Sequence, residues 1–380
     1  MKKLDYVDAL RGLAILGVIV VHTSHYGTSN LPNALAKIVS EGARGVQLFY
    51  VASAFTLFLS FKSRSRQEHS PVRNFFLRRF FRIAPMYYLG ICYYLMQDGL
   101  GPRYWLGDAT HITPLNILSN FTFLHGLNPY WITSLVPGGW SIAVEMMFYA
   151  LAPVLFTFIT NINRAFAIFL ISLFLKAGLH LLLVKYQLIS SEFLWSQYLY
   201  FYFPAQLPVF ALGILLYFIV TESEEKNQLA GKLLLLFSVI LLFQIATKIN
   251  LLLPNHLLFG IAFLILGVAL SRYRFPLLVN PLITFIGKIS FSMYLIHFAI
   301  LHWLAYYNFV DFFAHGVLNY AARLLLVIGL TAIVSSITYK LIEAPFQNIG
   351  KNIIKRLEKK EETVLQNEAI KKGNAVKNSC

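Results

Sequence analysis

The first apolar stretch of the chain, LRGLAILGVIVVHTSH, contains two side chains suited to chemistry, Arg11 and His22. Ionisable residues are rare inside membrane spans, because a central arginine costs about 2.5–3.5 kcal/mol on insertion scales, so each is a functional candidate. Eleven residues separate the two, and at ~100° per residue both lie on one helix face, about 16 Å apart along the axis. A cation and a base in this arrangement suit a long donor with a phosphate head.

The same helix face carries a second histidine, His25. An isolated histidine on an apolar face is more often a hydrogen-bonded packing residue, but the matched Arg11 favours a functional role for His22. We interpret His25 as a secondary residue, with a structural role as the alternative. Asp8 precedes Arg11 by three residues, a spacing that allows an ion pair.

A cluster of arginines opens the third apolar stretch, in RRFFRIAPMYY. Arg78, Arg79 and Arg82 are three and four residues apart and so form a cationic edge on one side of a helix end. Anchoring by the positive-inside rule explains many such clusters equally well. Because Arg11 belongs to the same layer, we favour an anion site in which several guanidinium groups hold phosphates through forked hydrogen bonds.

Carboxylates and a further histidine follow later in the chain. Ser141, Glu145 and Tyr149 repeat every four residues in GGWSIAVEMMFYALAP and predict a polar stripe near the non-cytoplasmic end of the helix, in which Glu145 orients a partner or balances charge. His297, in SFSMYLIHF, is expected at about the depth of His22, as a second base or, with slight preference, an interhelical hydrogen-bonding residue. Glu343, in LIEAPF, is either a counter-charge for the arginines or an interfacial residue.

Motifs for zinc, P-loop, dinucleotide or GxSxG chemistry do not occur in the sequence, so we expect no metal and no permanently bound cofactor.

The 380 residues are 57% hydrophobic and only 13% charged, with a mean hydropathy of +0.62, which excludes a soluble globular domain. The sequence predicts an all-α, polytopic membrane helix bundle with about ten transmembrane helices. The ten stretches lie near 10–27, 44–61, 76–97, 140–160, 165–184, 198–219, 232–249, 256–271, 282–305 and 318–341.

The net charge of +15 comes largely from basic residues in the connections, as orientation in a membrane requires, so no nucleic-acid partner is expected. Lysines and arginines in the loop between the second and third stretches, and in the lysine-rich tail, predict that both termini are cytoplasmic. We expect a transmembrane domain over 1–345 and a charged, solvated cytoplasmic tail over 346–380. We expect the first helix to remain in the mature protein and not to be removed as a signal peptide, because it has no small-residue cleavage site.

The chain resembles the acyltransferase-3 family of integral-membrane O-acyltransferases in DALRGLAILGVIVVH, GVQLFYVASAFTLFL, RRFFRIAPMYY, GGWSIAVEMMFYALAP, SFSMYLIH and LIEAPF, in family order. The arginine and histidine of the first family motif match Arg11 and His22, and the paired arginines match Arg79 and Arg82. Where many members have Ser-Gly-Phe, this chain has Ser-Ala-Phe, beginning at Ser53. Some relatives carry a C-terminal hydrolase-like domain, for which this tail is too short.

The resemblance implies transfer of an acyl group, usually acetyl from acetyl-CoA, to a hydroxyl of a cell-surface glycan such as O-antigen, or of a lipid-linked sugar, at the bacterial inner membrane. We predict that acyl-CoA places its phosphates near Arg11, Arg79 and Arg82, with Glu343 as counter-charge, and that His22 acts as general base. An acyl-histidine intermediate is a variant of this scheme. Alternatives are a multi-span transporter and a structural partner in an envelope-polysaccharide complex.

Overall fold

A computed structural model describes residues 4–101, 111–222, 228–246, 255–314 and 316–377. Helices connected by loops make up these segments, and no strand occurs in them, as the composition predicts. The helices are α1 Asp5–Ser24, α2 Asn33–Ser40, α3 Gly45–Arg64, α4 Pro71–Asp98, α5 Pro114–Phe121, α6 Gly139–Phe158, α7 Ile162–Lys185, α8 Glu192–Phe201, α9 Phe203–Glu222, α10 Gln228–Ala246, α11 Asn255–Arg272, α12 Pro281–Lys288, α13 Ser290–Tyr306, α14 Gly316–Thr338 and α15 Ala344–Lys377.

The helices are those of a membrane protein. Within the described segments, seven are long and apolar enough to cross a membrane, or eight if α12 and α13, bent by 79° at their junction, count as one span. The predicted stretch 76–97 lies in α4, and 232–249 lies in α10 as far as Ala246, beyond which it is outside the described residues. However, α4 is not among the seven, and the apolar part of α10 covers only Gly231–Phe243. An all-α membrane bundle is therefore confirmed, whereas the count of ten spans and the side of each terminus stay predictions.

Short polar side chains fix where several helices begin. Asn161 accepts a hydrogen bond from the Arg164 amide at the start of α7, and Ser191 does the same at the start of α8. Asn280 caps α12 in this way immediately after the basic segment that ends α11. Each cap satisfies one of the N–H groups that a helix start leaves unpaired, so these helices begin at defined residues.

The first helix packs against the short helix α12 so closely that no side chain fits between the two backbones at the contact. A Cβ atom added at Gly12 would lie 2.3 Å from the carbonyl oxygen of Ile283, and one added at Gly287 would lie 1.8 Å from that of Asp8. Glycine at both positions allows the two backbones to touch, as small residues do in membrane helix pairs. The contact fixes the half of α1 that carries Arg11.

The other end of α1 is held by a buried arginine that the sequence analysis did not single out. Arg323 of α14 has no exposed surface; it donates hydrogen bonds to the carbonyl oxygens of Thr23, at 3.3 Å, and Val310. It also pairs with Asp311 at 3.5 Å. The backbone N–H of Thr28 donates to Asp311 at 2.7 Å, and this hydrogen bond lowers the pKa of Asp311 below its usual range.

The acidic residues of α15 bind the start of α4. Glu358 accepts hydrogen bonds from the backbone N–H groups of His69, at 2.8 Å, and Ser70, at 3.2 Å, and from the side-chain amide of Asn74 at 2.6 Å. Glu361 pairs with Arg73. This part of the tail is therefore a docked helix rather than the solvated appendage that we expected, because its carboxylates satisfy donors that the start of α4 leaves unpaired.

Candidate active site

A central cavity lies between α1, α3, α4, α6 and α13. The three predicted arginines, Arg11, Arg79 and Arg82, all line it, so the structure brings them together. Its other polar lining side chains are Tyr50, Ser53, Ser141, Glu145, Tyr149, Ser290 and Tyr294. The cavity therefore combines a cationic wall with a row of hydroxyl groups and one carboxylate.

Arg11 is held by neighbours on two helices. Its Nη2 donates a hydrogen bond to Thr56 of α3 at 2.9 Å, and its Nη1 lies 3.8 Å from a carboxylate oxygen of Asp8. The side chain is 15% exposed, and it reaches the cavity from α1. The ion pair predicted from the spacing is present, and part of the guanidinium still faces the cavity.

Arg79 lies between two aromatic rings. Its guanidinium carbon is 5.8 Å from the centre of the Phe75 ring and 5.5 Å from that of Tyr149, so both rings stabilise the cation. Its Nε is buried and has no hydrogen-bond partner in the described segments. Arg79 and Arg82 each interact electrostatically with Arg11. Three like charges that share one cavity and retain an unused donor favour an anionic ligand.

Glu145 is the carboxylate of this cavity, and two hydroxyl groups hold it. Ser53 of α3 donates to its Oε1 at 2.5 Å, and Tyr149, one turn along α6, donates to the same atom at 2.5 Å. Glu145 also interacts electrostatically with Arg79. Ser141, Glu145 and Tyr149 thus form one stripe, but it faces the cavity of the arginines and not the opposite end of the bundle, where we expected it. The contact to Ser53 was not foreseen.

Two histidines from distant parts of the chain form a hydrogen-bonded pair. Nδ1 of His22 lies 3.1 Å from Nε2 of His297, and Nδ1 of His297 lies 3.1 Å from the carbonyl oxygen of Met293. A carbonyl oxygen only accepts, so the Nδ1 of a neutral His297 carries the hydrogen and its Nε2 is an acceptor. His22 must then donate from Nδ1, which leaves its Nε2 with a free lone pair. The pair therefore leaves a proton-accepting nitrogen on His22.

The structure places Arg11 and His22 in neighbouring rather than identical surroundings. His22 is half-buried and is not among the residues that line the central cavity. Tyr294 lies between the two groups: it lines the cavity, and its ring centre is 6.0 Å from that of His297. His25 is exposed, with its ring centre 6.0 Å from that of His22.

Glu343 lies beside the arginines without entering their cavity. It belongs to a single π-helical turn, Tyr339–Glu343, is 3% exposed and accepts a hydrogen bond from Ser292. Arg82 is the cation with which it interacts electrostatically. Glu343 is thus a buried neighbour of Arg82, and the cavity lining does not include it.

The fold and this site define an α-helical membrane protein with a buried cationic cavity next to a histidine pair. A family model described as an acyltransferase domain matches residues 4–340, and the chain therefore belongs to the acyltransferase-3 family, as its motifs indicated.

Similar proteins support this assignment at low identity. The "Putative O-acetyltransferase" of Staphylococcus aureus strain COL is 25% identical over 388 residues, which cover 92% of this chain and 58% of the relative. The O-acetyltransferase OatA of S. aureus strain NCTC 8325 is 23% identical over 381 residues, 90% of this chain and 57% of the relative. The chain thus spans less than two thirds of the length of these relatives. No solved structure matches it.

Proposed function

We propose that the protein is a membrane O-acetyltransferase, which transfers an acetyl group from acetyl-CoA to a hydroxyl of a cell-surface glycan or a lipid-linked sugar. The observation that carries this proposal is the convergence of Arg11, Arg79 and Arg82 on one cavity. The names of the similar proteins, O-acetyltransferases, agree with it.

The arginines fit the phosphates of coenzyme A. Guanidinium groups bind phosphate oxygens through paired hydrogen bonds, and Arg79 keeps a buried N–H for this purpose. The end of the bundle that carries these arginines also carries most of the basic loop residues, so the positive-inside rule assigns it to the cytoplasm. With ten spans both termini are then cytoplasmic, and the donor enters from the cytoplasmic side of the bacterial inner membrane.

The histidine pair fits a general base. The acceptor oxygen forms a bond to the thioester carbonyl carbon while Nε2 of His22 takes the hydroxyl proton. The carbon–sulfur bond then breaks, and the proton passes to the departing sulfur of coenzyme A. His297 acts as a positioning residue, because its acceptor atom holds the Nδ1 hydrogen of His22. The pantetheine arm has to pass Tyr294 to bring the thioester from the arginines to His22.

A transporter of an ion or small envelope metabolite is the alternative that buried charges also fit. Transporters built from repeats interrupt helices at matching places in two halves. In the segments that the structure describes, the one bent helix pair that reaches the length of a span is α12 with α13. The single break gives no support to a two-fold arrangement, so the acyltransferase is preferred.

The decisive experiment is release of free coenzyme A thiol from acetyl-CoA by the purified full-length protein in detergent. We expect turnover with an added glycan acceptor, its loss in His22→Ala, and its retention in the control His25→Ala. Circular dichroism checks that both variants fold. Undiminished turnover in a folded His22→Ala would contradict the role of His22, and intact acetyl-CoA with wild-type protein and every acceptor tried would favour the transporter.

The acceptor is identified by mass spectrometry of surface glycans from cells with and without the protein. An acetyl mass that disappears with the gene and returns with wild-type protein, but not with His22→Ala, assigns the glycan. An unchanged glycan profile directs the search to lipid-linked intermediates.

A further inference from the structure

A second, larger cavity of about 1050 Å³ lies between α7, α8 and the start of α11. We call it the lateral cavity. Its walls are mostly apolar and include Leu173, Phe174, Leu181 and Leu199, and it shares no lining residue with the central cavity. Its volume is at the upper end of the range of about 300–1,000 Å³ that small-molecule sites occupy. The size and the apolar walls suit the hydrocarbon chain of a lipid.

Cationic and imidazole groups line one part of this cavity. Lys176 and His180 are one turn apart on α7 and share a face, and the Nζ of Lys176 lies 2.8 Å from Nε2 of His256 on α11. Arg44 also lines the cavity but pairs with Glu41 at 2.9 Å. One carboxylate, Glu192, belongs to the lining.

Lys176 pairs with no carboxylate of the described segments, although Glu192 also lines the cavity. It lies within α7, one of the helices apolar enough to span a membrane, where a charged lysine is costly to insert. Over the segments that the structure describes, it makes no ion pair, and its hydrogen-bond partner is the base His256. The sequence of the neighbouring segment 247–254, outside those segments, contains no Asp or Glu. An ammonium group has three donors, so two remain for an anion.

We propose that the lateral cavity binds a lipid with a phosphate head group. The hydrocarbon chain lies along the apolar wall of α7 and α8, and the phosphate accepts hydrogen bonds from Lys176, with His180 and Arg44 nearby. Charge complementarity selects this occupant, because a neutral lipid would fill the apolar walls but leave the ammonium group without a counter-ion in a medium of low dielectric constant.

Aromatic rings separate the lateral cavity from the central one. Tyr50, which lines the central cavity, has its ring centre 6.4 Å from that of Trp140. Trp140 in turn is 4.3 Å from Phe201, the neighbour of Tyr200, which lines the lateral cavity. A lipid bound there therefore lies next to the central cavity, and we infer that it carries the acceptor to the protein. That carrier role rests on the proposed function, whereas lipid binding itself does not.

Native mass spectrometry of the purified full-length protein in detergent tests the site with three probes: dioleoyl phosphatidic acid, a polyprenyl monophosphate and dioleoylglycerol. We expect the two phosphate lipids to bind at least about tenfold more tightly than dioleoylglycerol, the ratio given by one charge-assisted hydrogen bond. Lys176→Gln should remove this preference. Lys185→Gln, on the same helix outside the lining, is the control and should keep it. Ala177→Trp, which fills the cavity, should weaken binding of all three lipids.

Phosphatidic acid represents a phospholipid, and the polyprenyl monophosphate represents an isoprenoid carrier. Preferential retention of either one over dioleoylglycerol supports the site and identifies the kind of lipid that it binds. Equal binding of phosphatidic acid and dioleoylglycerol, or an unchanged preference in Lys176→Gln, would overturn the proposal. Thermal unfolding of each variant shows that it is folded. Because no probe contains a thioester or an acceptor sugar, failure of lipid binding leaves the acyltransferase proposal untouched, and failure of acyl transfer leaves the lipid site untouched.

Discussion

Ser53 of α3 donates a hydrogen bond of 2.5 Å to Glu145 of α6 and so joins two walls of the central cavity. The same carboxylate oxygen accepts from Tyr149, so two hydroxyl groups hold one orientation of Glu145 against the cationic wall. A single substitution can change the orientation of this half-buried carboxylate without moving either helix.

Replacement of Ser53 by alanine should therefore lower the turnover number of acyl transfer. We expect a loss of about five- to tenfold, from one hydrogen bond of about 1–1.5 kcal/mol, with little change in the KM of acetyl-CoA. Ser172→Ala is the matched control, because Ser172 is buried in α7 and donates only to the Phe169 carbonyl of its own helix. Equal turnover in Ser53→Ala and Ser172→Ala would show that this contact does not orient Glu145 for the reaction.

His297 should be replaceable by glutamine better than by leucine. The glutamine side chain offers an acceptor for the Nδ1 hydrogen of His22, so we expect His297→Gln to keep kcat within about tenfold, whereas His297→Leu loses about 100-fold, in the range of general-base effects. The KM of acetyl-CoA should stay constant in both. His302→Gln, on the same helix, is the control. Equal losses in the two His297 variants would indicate a packing role instead.

Arg79→Lys should raise the KM of acetyl-CoA about tenfold, because a lysine cannot reproduce a guanidinium fork. Acetyl-pantetheine, which lacks the nucleotide phosphates, should show no such difference between wild type and variant. The control is Arg164→Lys, an exposed residue at the start of α7. A parallel change in KM for both donors would place the phosphates elsewhere.

Asp311 should make stability depend on pH in the acid range. The hydrogen bond from the Thr28 N–H lowers its pKa from the usual 3.8, so the unfolded chain binds its proton more readily than the folded protein. Its stabilising contribution is complete above that usual value and is lost as the pH falls through the lower folded pKa. Thermal unfolding between pH 7 and pH 3 should show a steeper decrease for wild type than for Asp311→Asn. Parallel curves would contradict this assignment.

Much of the fold follows from the sequence because hydropathy acts within one helix. A helix lies in each of the ten predicted stretches. The four-residue repeat put Ser141, Glu145 and Tyr149 on one face of α6, but it did not show that this face lies with the arginines. The 79° bend between α12 and α13 was missed, because apolar residues continue through it and the Asn280 cap that begins α12 does not indicate a change of direction.

Contacts between helices were harder to predict from the sequence than the helices themselves. Spacing within α1 shows that Arg11 and His22 share a face, and the sequence predicts His297 at about the depth of His22. The rotation of α13 that pairs the two histidines depends on packing with the rest of the bundle. For the same reason, the sequence did not predict the contact of Ser53 with Glu145 or that of Arg323 with Asp311. Charge alone suggested a solvated tail, because the unpaired donors at the start of α4 become visible only when α15 is placed against them.

The glycine contacts of α1 with α12 limit how the central cavity can evolve. Gly12 and Gly287 leave no room for even one added methyl group, so the backbone that carries Arg11 cannot be moved by small substitutions at this contact. Variants with a wider central cavity, natural or directed, are therefore expected to differ at its other walls, for instance around Ile83 of α4.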